Sequence, residues 1–180
     1  LGAGVYHITV TDSRGCVTTD SVTVSPSSTA LVVSIDSVSG PLNCFGDTNG
    51  FASVSVTGGT PGYTYTWNTV PPQSGTTATN LAAGTYVITI TDTVGCTGID
   101  SVTITSAPQL VLTGSSTNSS CGVANGSASI SVSGGTPGYT YAWDTLGATT
   151  SGINSVPAGI YNVVVTDTNG CSSSADVTVS

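Results

Sequence analysis

The chain has 180 residues, with nine Asp, one Arg (Arg14), one His (His7), no Lys, Glu or Met, and a formal net charge of −8. That acidity excludes a nucleic-acid binder, which needs a basic surface to neutralise phosphates, and no apolar run approaches the length of a membrane span. Ser and Thr supply about a third of the residues, and low charge, abundant hydroxyls and recurring Cys point to a secreted, extracellular surface protein rather than a cytosolic enzyme.

In chain order, the first element is LGAGVYHITVTDSRGC (Leu1 to Cys16), which returns as LAAGTYVITITDTVGC (Leu81 to Cys96) and as VPAGIYNVVVTDTNGC (Val156 to Cys171). GGTPGYTYTW (Gly58 to Trp67) likewise returns as GGTPGYTYAW (Gly134 to Trp143). A fixed step of about 76 residues decides the architecture before any local reading. The expected organisation is the last two strands of one unit (1–25), a complete unit (26–106) and a second complete unit (107–180). A chain that opens in mid-unit, without an initiator Met or signal peptide, is expected to be part of something longer.

Within a unit the dominant period is two. In FASVSVT, Ala52, Val54 and Val56 share one face and Ser53, Ser55 and Thr57 the other. The aromatic strip Tyr63, Tyr65, Trp67 alternates with Thr64 and Thr66. In TYVITITD, Tyr86, Ile88 and Ile90 point inward, and Val102 and Ile104 do so in the strand that follows. Such alternation predicts strands buried on one face, and no segment predicts a helix. Pro61-Gly62 and Pro137-Gly138 are turn dipeptides, while Asp92 to Gly95 and Asp167 to Gly170 suit type I turns closing hairpins. Pro26 and Pro108 mark the joints. Six or seven short one-sided strands predict an all-β chain of tandem immunoglobulin-like β-sandwich repeats, with Tyr86 and Tyr161 placed as tyrosine corners.

The succession C…NG-x-A-S-(V/I)-S-V-(T/S)-GGTPGYTY-x-W…AG-x-Y…TD-x-x-GC resembles the SprB-repeat family of large surface proteins in gliding and related Bacteroidota. It is carried by Cys44, Asn49, Gly50, Gly58 to Trp67, Gly84, Tyr86, Asp92 and Cys96. The second copy uses Cys121, Asn125, Gly126, Gly134 to Trp143, Gly159, Tyr161, Asp167 and Cys171. The resemblance implies a structural and adhesive repeat of a cell-surface filament or gliding-type adhesin, exported by type IX secretion. The competing reading is a carbohydrate-binding or spacer module of a secreted hydrolase. Asp-(Ser/Thr)-aliphatic triplets are similar to the O-glycosylation signal of Bacteroidota, which makes Ser21, Ser37, Thr93, Ser101 and Thr145 candidates.

Catalysis is not expected. His7 is replaced by Val87 and Asn162 in the other copies, and with one His no Ser-His-Asp set can recur. Tyr63, Tyr65, Trp67, Tyr86 and their counterparts Tyr139, Tyr141, Trp143, Tyr161 are expected in the core, although an exposed strip could stack on sugar rings of a surface polysaccharide. Asp12, Asp92 and Asp167 recur at one turn position and raise calcium. One carboxylate per turn falls short of the six to eight oxygens that ion takes, so capping of the turn by its own Asp is the expected role. No cofactor or metal is expected, and the expected partners are neighbouring repeats.

Of the five Cys, Cys16 is expected to have its partner outside the chain. Pairing within units, Cys44 with Cys96 and Cys121 with Cys171, is the expected arrangement, because each unit then matures independently during export. Strand rise argues against it, because Cys44 and Cys96 should lie at opposite ends of a sandwich. The alternative is Cys44 with Cys171, across the joint.

Overall fold

The computed structural model describes residues 2, 4–24, 29–144 and 147–180. Pro26 and Thr145 therefore lie outside the described residues. Fourteen strands and no helix are present among the rest. They fall into a leading hairpin and two copies of one six-stranded arrangement.

The hairpin pairs β1 (Gly4–Thr11) with β2 (Val17–Val24) in unbroken antiparallel register. The first sandwich follows. One sheet is β3 (Val32–Val38), β4 (Gly50–Thr57) and β6 (Thr77–Leu81), in the order β3-β4-β6. The other is β5 (Thr64–Trp67), β7 (Gly84–Thr91) and β8 (Thr97–Ile104), in the order β5-β7-β8. The second sandwich repeats this with β9 (Val111–Thr117), β10 (Gly126–Ser133) and β12 (Gly152–Val156) facing β11 (Thr140–Trp143), β13 (Gly159–Thr166) and β14 (Ser172–Val179). First, second and fourth strands in one sheet and third, fifth and sixth in the other are the immunoglobulin arrangement with one edge strand fewer.

Each core is built from the alternation legible in the chain. Ala52 and Val54 from β4, Trp67 from β5, Ala78 and Leu81 from β6, Ile88 and Ile90 from β7 and Ile104 from β8 form one buried cluster. Ala128, Ile130, Trp143, Ile153, Val156, Val163, Val165, Val177 and Val179 form its counterpart. Both tryptophans are buried, with their indole N–H groups donating to the carbonyls of Gly75 and Thr150. Tyr161 is buried, whereas Tyr63, Tyr65, Tyr86, Tyr139 and Tyr141 are half-buried against the same cores. The tyrosine corners form: the hydroxyl of Tyr86 donates to Ala82 O at 3.1 Å and that of Tyr161 to Pro157 O at 2.8 Å.

The leading hairpin has the strands of such a unit but no opposing sheet. Ile8 is 60 % exposed, where its counterpart Ile88 is fully buried. Val5, Val10 and Val22 are exposed alongside it.

Candidate functional site at the joint between the sandwiches

The joint begins with the turn that closes the β13–β14 hairpin. Asp167 and Gly170 form the predicted turn, Gly170 N donating to Asp167 O at 3.0 Å. Asp167 Oδ1 accepts the backbone N–H groups of Asn169 and Cys171, each at 2.9 Å, and Oδ2 accepts that of Thr136 at 2.8 Å. One carboxylate thus shapes its own turn and ties it to the Gly-Gly-Thr-Pro-Gly loop. The first sandwich repeats the set, Asp92 accepting from Val94, Cys96 and Thr60. The Thr60 and Thr136 bonds are the main reason that both carboxyls are held below the ordinary 3.8. Backbone donors therefore account for these aspartates without a metal. Gly59 must be glycine for this to work, since its φ is +65° and a Cβ there would press on Leu31 and on Asp92 Oδ2.

The other half of the joint is the segment between β3 and β4. Leu42 is buried in the first core. Its N–H donates to Thr105 O at 2.8 Å and its carbonyl accepts from Ala107 N at 3.0 Å, a short parallel bridge to the chain leaving β8. That bridge carries Asn43 and Cys44 to the exit end of the first sandwich. Asp47 then holds the turn, accepting Cys44 N on its carboxylate at 3.0 Å.

Cys44 and Cys171 meet there as a disulfide, with Cα atoms 5.5 Å apart and a sequence separation of 127. Asn169 Nδ2 donates to Asn43 O at 3.3 Å, and the Cys171 sulfur rests at the same distance from that carbonyl. Cys44, Phe45, Pro108, Leu110, Gly170 and Cys171 surround a shallow cleft at the joint.

This corrects the expected pairing within units. Cys96 closes the β7–β8 turn at the end of the first sandwich opposite to Cys44, so neither Cys44 with Cys96 nor Cys121 with Cys171 forms. Cys16, Cys96 and Cys121 are exposed free thiols. The rise along the strands keeps the two cysteines of one unit at opposite ends of its sandwich.

His7 is exposed on β1, opposite Ser21. Ser21, Ser37, Thr93 and Ser101 are all exposed. Ser37 Oγ is hydrogen-bonded to Ser53 Oγ, and Thr93 Oγ1 donates to the carbonyls of Thr60 and Pro61. The tryptophans of the aromatic strip are interior, and its tyrosines pack half-buried against the cores. Sequence reasoning missed the docking of Leu42 and the reach of Asp92 and Asp167 to the neighbouring loop. A lone apolar Leu in a polar loop (GPLNC) was the available signal for the first.

The SprB-repeat family model matches residues 37–71 and 113–148, that is, the stretches from β3 through β5 and from β9 into the loop after β11. These two stretches are SprB repeats. Each contains the loop cysteine, Cys44 or Cys121, while the turn cysteines lie outside the matched residues. No curated protein sequence matches the chain. Among solved structures, the chain is similar to the N-terminal eight Ig domains of Down Syndrome Cell Adhesion Molecule, at 13% identity and a TM-score of 0.45, covering 99% of this chain and 28% of that one. It is also similar to the S-layer protein SbsC, at 12% identity and a TM-score of 0.32, covering 99% of this chain and 35% of that one. The chain therefore spans well under half the length of either. SprB repeats on an immunoglobulin-like sandwich fit a repeat module of a cell-surface protein, and a disulfide is compatible with an extracellular location.

Proposed function

We propose that these SprB repeats form a load-bearing rod segment of an exported bacterial cell-surface filament or gliding-type adhesin. The observation that carries this reading is the Cys44–Cys171 bridge between consecutive sandwiches. Export by type IX secretion and a part in gliding belong to the reading through the family resemblance. The partner of each repeat in this stretch is its neighbour, and contact with surface polysaccharide, in this stretch or at a distal tip, belongs to the same reading. Catalysis forms no part of it.

A bridge at this place changes how tension passes. Force applied at the two ends enters at the first strands, crosses the sulfur–sulfur bond and leaves through β14. Residues 45–170 lie inside the covalent loop and are shielded from it. The same loop constrains the unfolded chain, stabilising the native state by about 5 kcal/mol on the loop-entropy account.

Single-molecule stretching tests this. The 127 residue steps inside the loop, at about 3.5 Å each when extended, hide about 440 Å of contour length. Oxidised protein should lack that extension and reduced protein should release it. Equal extension in both states would refute the rod-and-staple reading.

A further inference from the structure

We propose that the outer edge of β12 is a self-pairing surface, where a second copy of this chain adds its own β12 as an antiparallel neighbour through Asn154. This contact lies on the flank of the second sandwich and is independent of the joint described above.

The first argument comes from register. β6 and β12 are edge strands of their sheets. Val54 N donates to Thr76 O at 2.9 Å, and Ile130 N donates to Ser151 O at 2.8 Å. Bonding alternates along an antiparallel ladder. Thr79 and Asn154, opposite Phe51 and Ser127, therefore turn their N–H and C=O groups away from the sheet.

The second argument is that the first sandwich fills this place and the second does not. Gln73 Oε1 accepts Thr79 N at 2.9 Å, and Gln73 Nε2 donates to Thr79 O at 2.8 Å. The backbone of Gln73 is itself fixed, its N–H donating to Thr69 Oγ1 at 2.9 Å and its C=O accepting Trp67 N at 2.9 Å. A side-chain amide thus stands where the peptide of a neighbouring strand would stand. Ala148 has the same position in the second sandwich, its C=O accepting Trp143 N at 3.2 Å. Alanine has no amide to offer. Among the described residues nothing bonds to the outward N–H and C=O of Asn154, which is exposed.

The third argument selects a second copy as the occupant. Donor and acceptor belong to one residue, so a twofold axis between two copies of Asn154 lets each N–H meet the other's C=O. Two chains of net charge −8 repel each other. No charged residue lies on β9, β10 or β12, so at this sheet they meet without opposing carboxylates. Edge strands are ordinarily guarded by a charge or a proline, and β12 carries neither. Ser155, with φ at +57°, ends the regular edge, so each contact is a single residue pair. Repeats set side by side along two rods would sum many such contacts.

The whole chain is isotope-labelled, and Cys16, Cys96 and Cys121 are alkylated so that only non-covalent contacts are read. Amide NMR then follows it over a hundredfold concentration range reaching millimolar, where weak pairing is populated. The Asn154 amide signal should shift progressively with concentration while that of Thr79 stays in place. Mixing labelled with unlabelled protein should give intermolecular NOEs at Asn154. A148Q, which supplies the missing amide, should abolish both effects. Q73A should make the Thr79 signal concentration-dependent as well. An Asn154 signal that does not move, that moves equally in A148Q, or intermolecular NOEs confined to other residues would overturn the proposal. A Thr79 signal that stays in place in Q73A would do the same, by removing Gln73 as the group that closes the edge.

Discussion

The carboxylate of Asp92 takes the backbone N–H of Thr60 at 3.0 Å, and that of Asp167 takes Thr136 at 2.8 Å, so one side chain in each sandwich locks the last hairpin turn to the loop between its second and third strands. Both carboxyls ionise below the ordinary 3.8, chiefly because those N–H groups favour the charged form. For a group whose folded-state pKa is depressed, the stabilisation is complete above the unfolded value and disappears as pH falls through the folded one. Thermal stability should therefore hold from neutral pH down to about pH 5 and decline below the ordinary carboxyl range. D92N and D167N should melt a few degrees lower at pH 7 and show a flatter decline with acid. Melting curves from pH 7 to pH 2 check this, and variants as acid-sensitive as the parent would remove these aspartates as the cause.

Trp67 and Trp143 are interior, each with its indole N–H satisfied by a backbone carbonyl. Tryptophan emission should be blue-shifted and resist iodide, and W67A should cost about 3–5 kcal/mol, the usual penalty for emptying a large aromatic site. Emission typical of exposed indole would contradict a core placement.

The corner hydroxyls of Tyr86 and Tyr161 each reach a carbonyl four residues upstream. Y86F and Y161F keep the ring and lose the bond, so each should destabilise its sandwich by about 1 kcal/mol. Urea unfolding of the two variants measures it. No loss in either would mean that water replaces the bond without penalty.

Residues 4–24 form a hairpin whose apolar side chains face solvent, and isolated two-stranded ribbons are marginal. Limited digestion with subtilisin should cut this hairpin well before either sandwich, leaving a resistant core that begins near the start of β3. Equal resistance throughout would show that its apolar face is covered in solution.

Much of this protein could be read from its letters, because the relevant physics is local. Alternation of Ala52, Val54 and Val56 with Ser and Thr specifies a one-sided strand, and the same holds for Ile88 and Ile90. Pro61-Gly62 and Asp92 to Gly95 specify their turns through the φ preferences of single residues, and the 76-residue step specifies that whatever one unit does its neighbour repeats. The corner tyrosines followed from their position ahead of a buried strand. The cysteine partners did not, and neither did the reach of Asp92 to Thr60. Disulfide choice depends on which end of a sandwich each loop occupies and how the next sandwich is set against it. Those are long-range consequences of sheet order and of Leu42 anchoring its loop to the chain after β8. The positions of the cysteines along the chain do not by themselves choose between the two pairings. Only the tertiary structure, by placing Cα atoms 5.5 Å apart across the joint, decided between them.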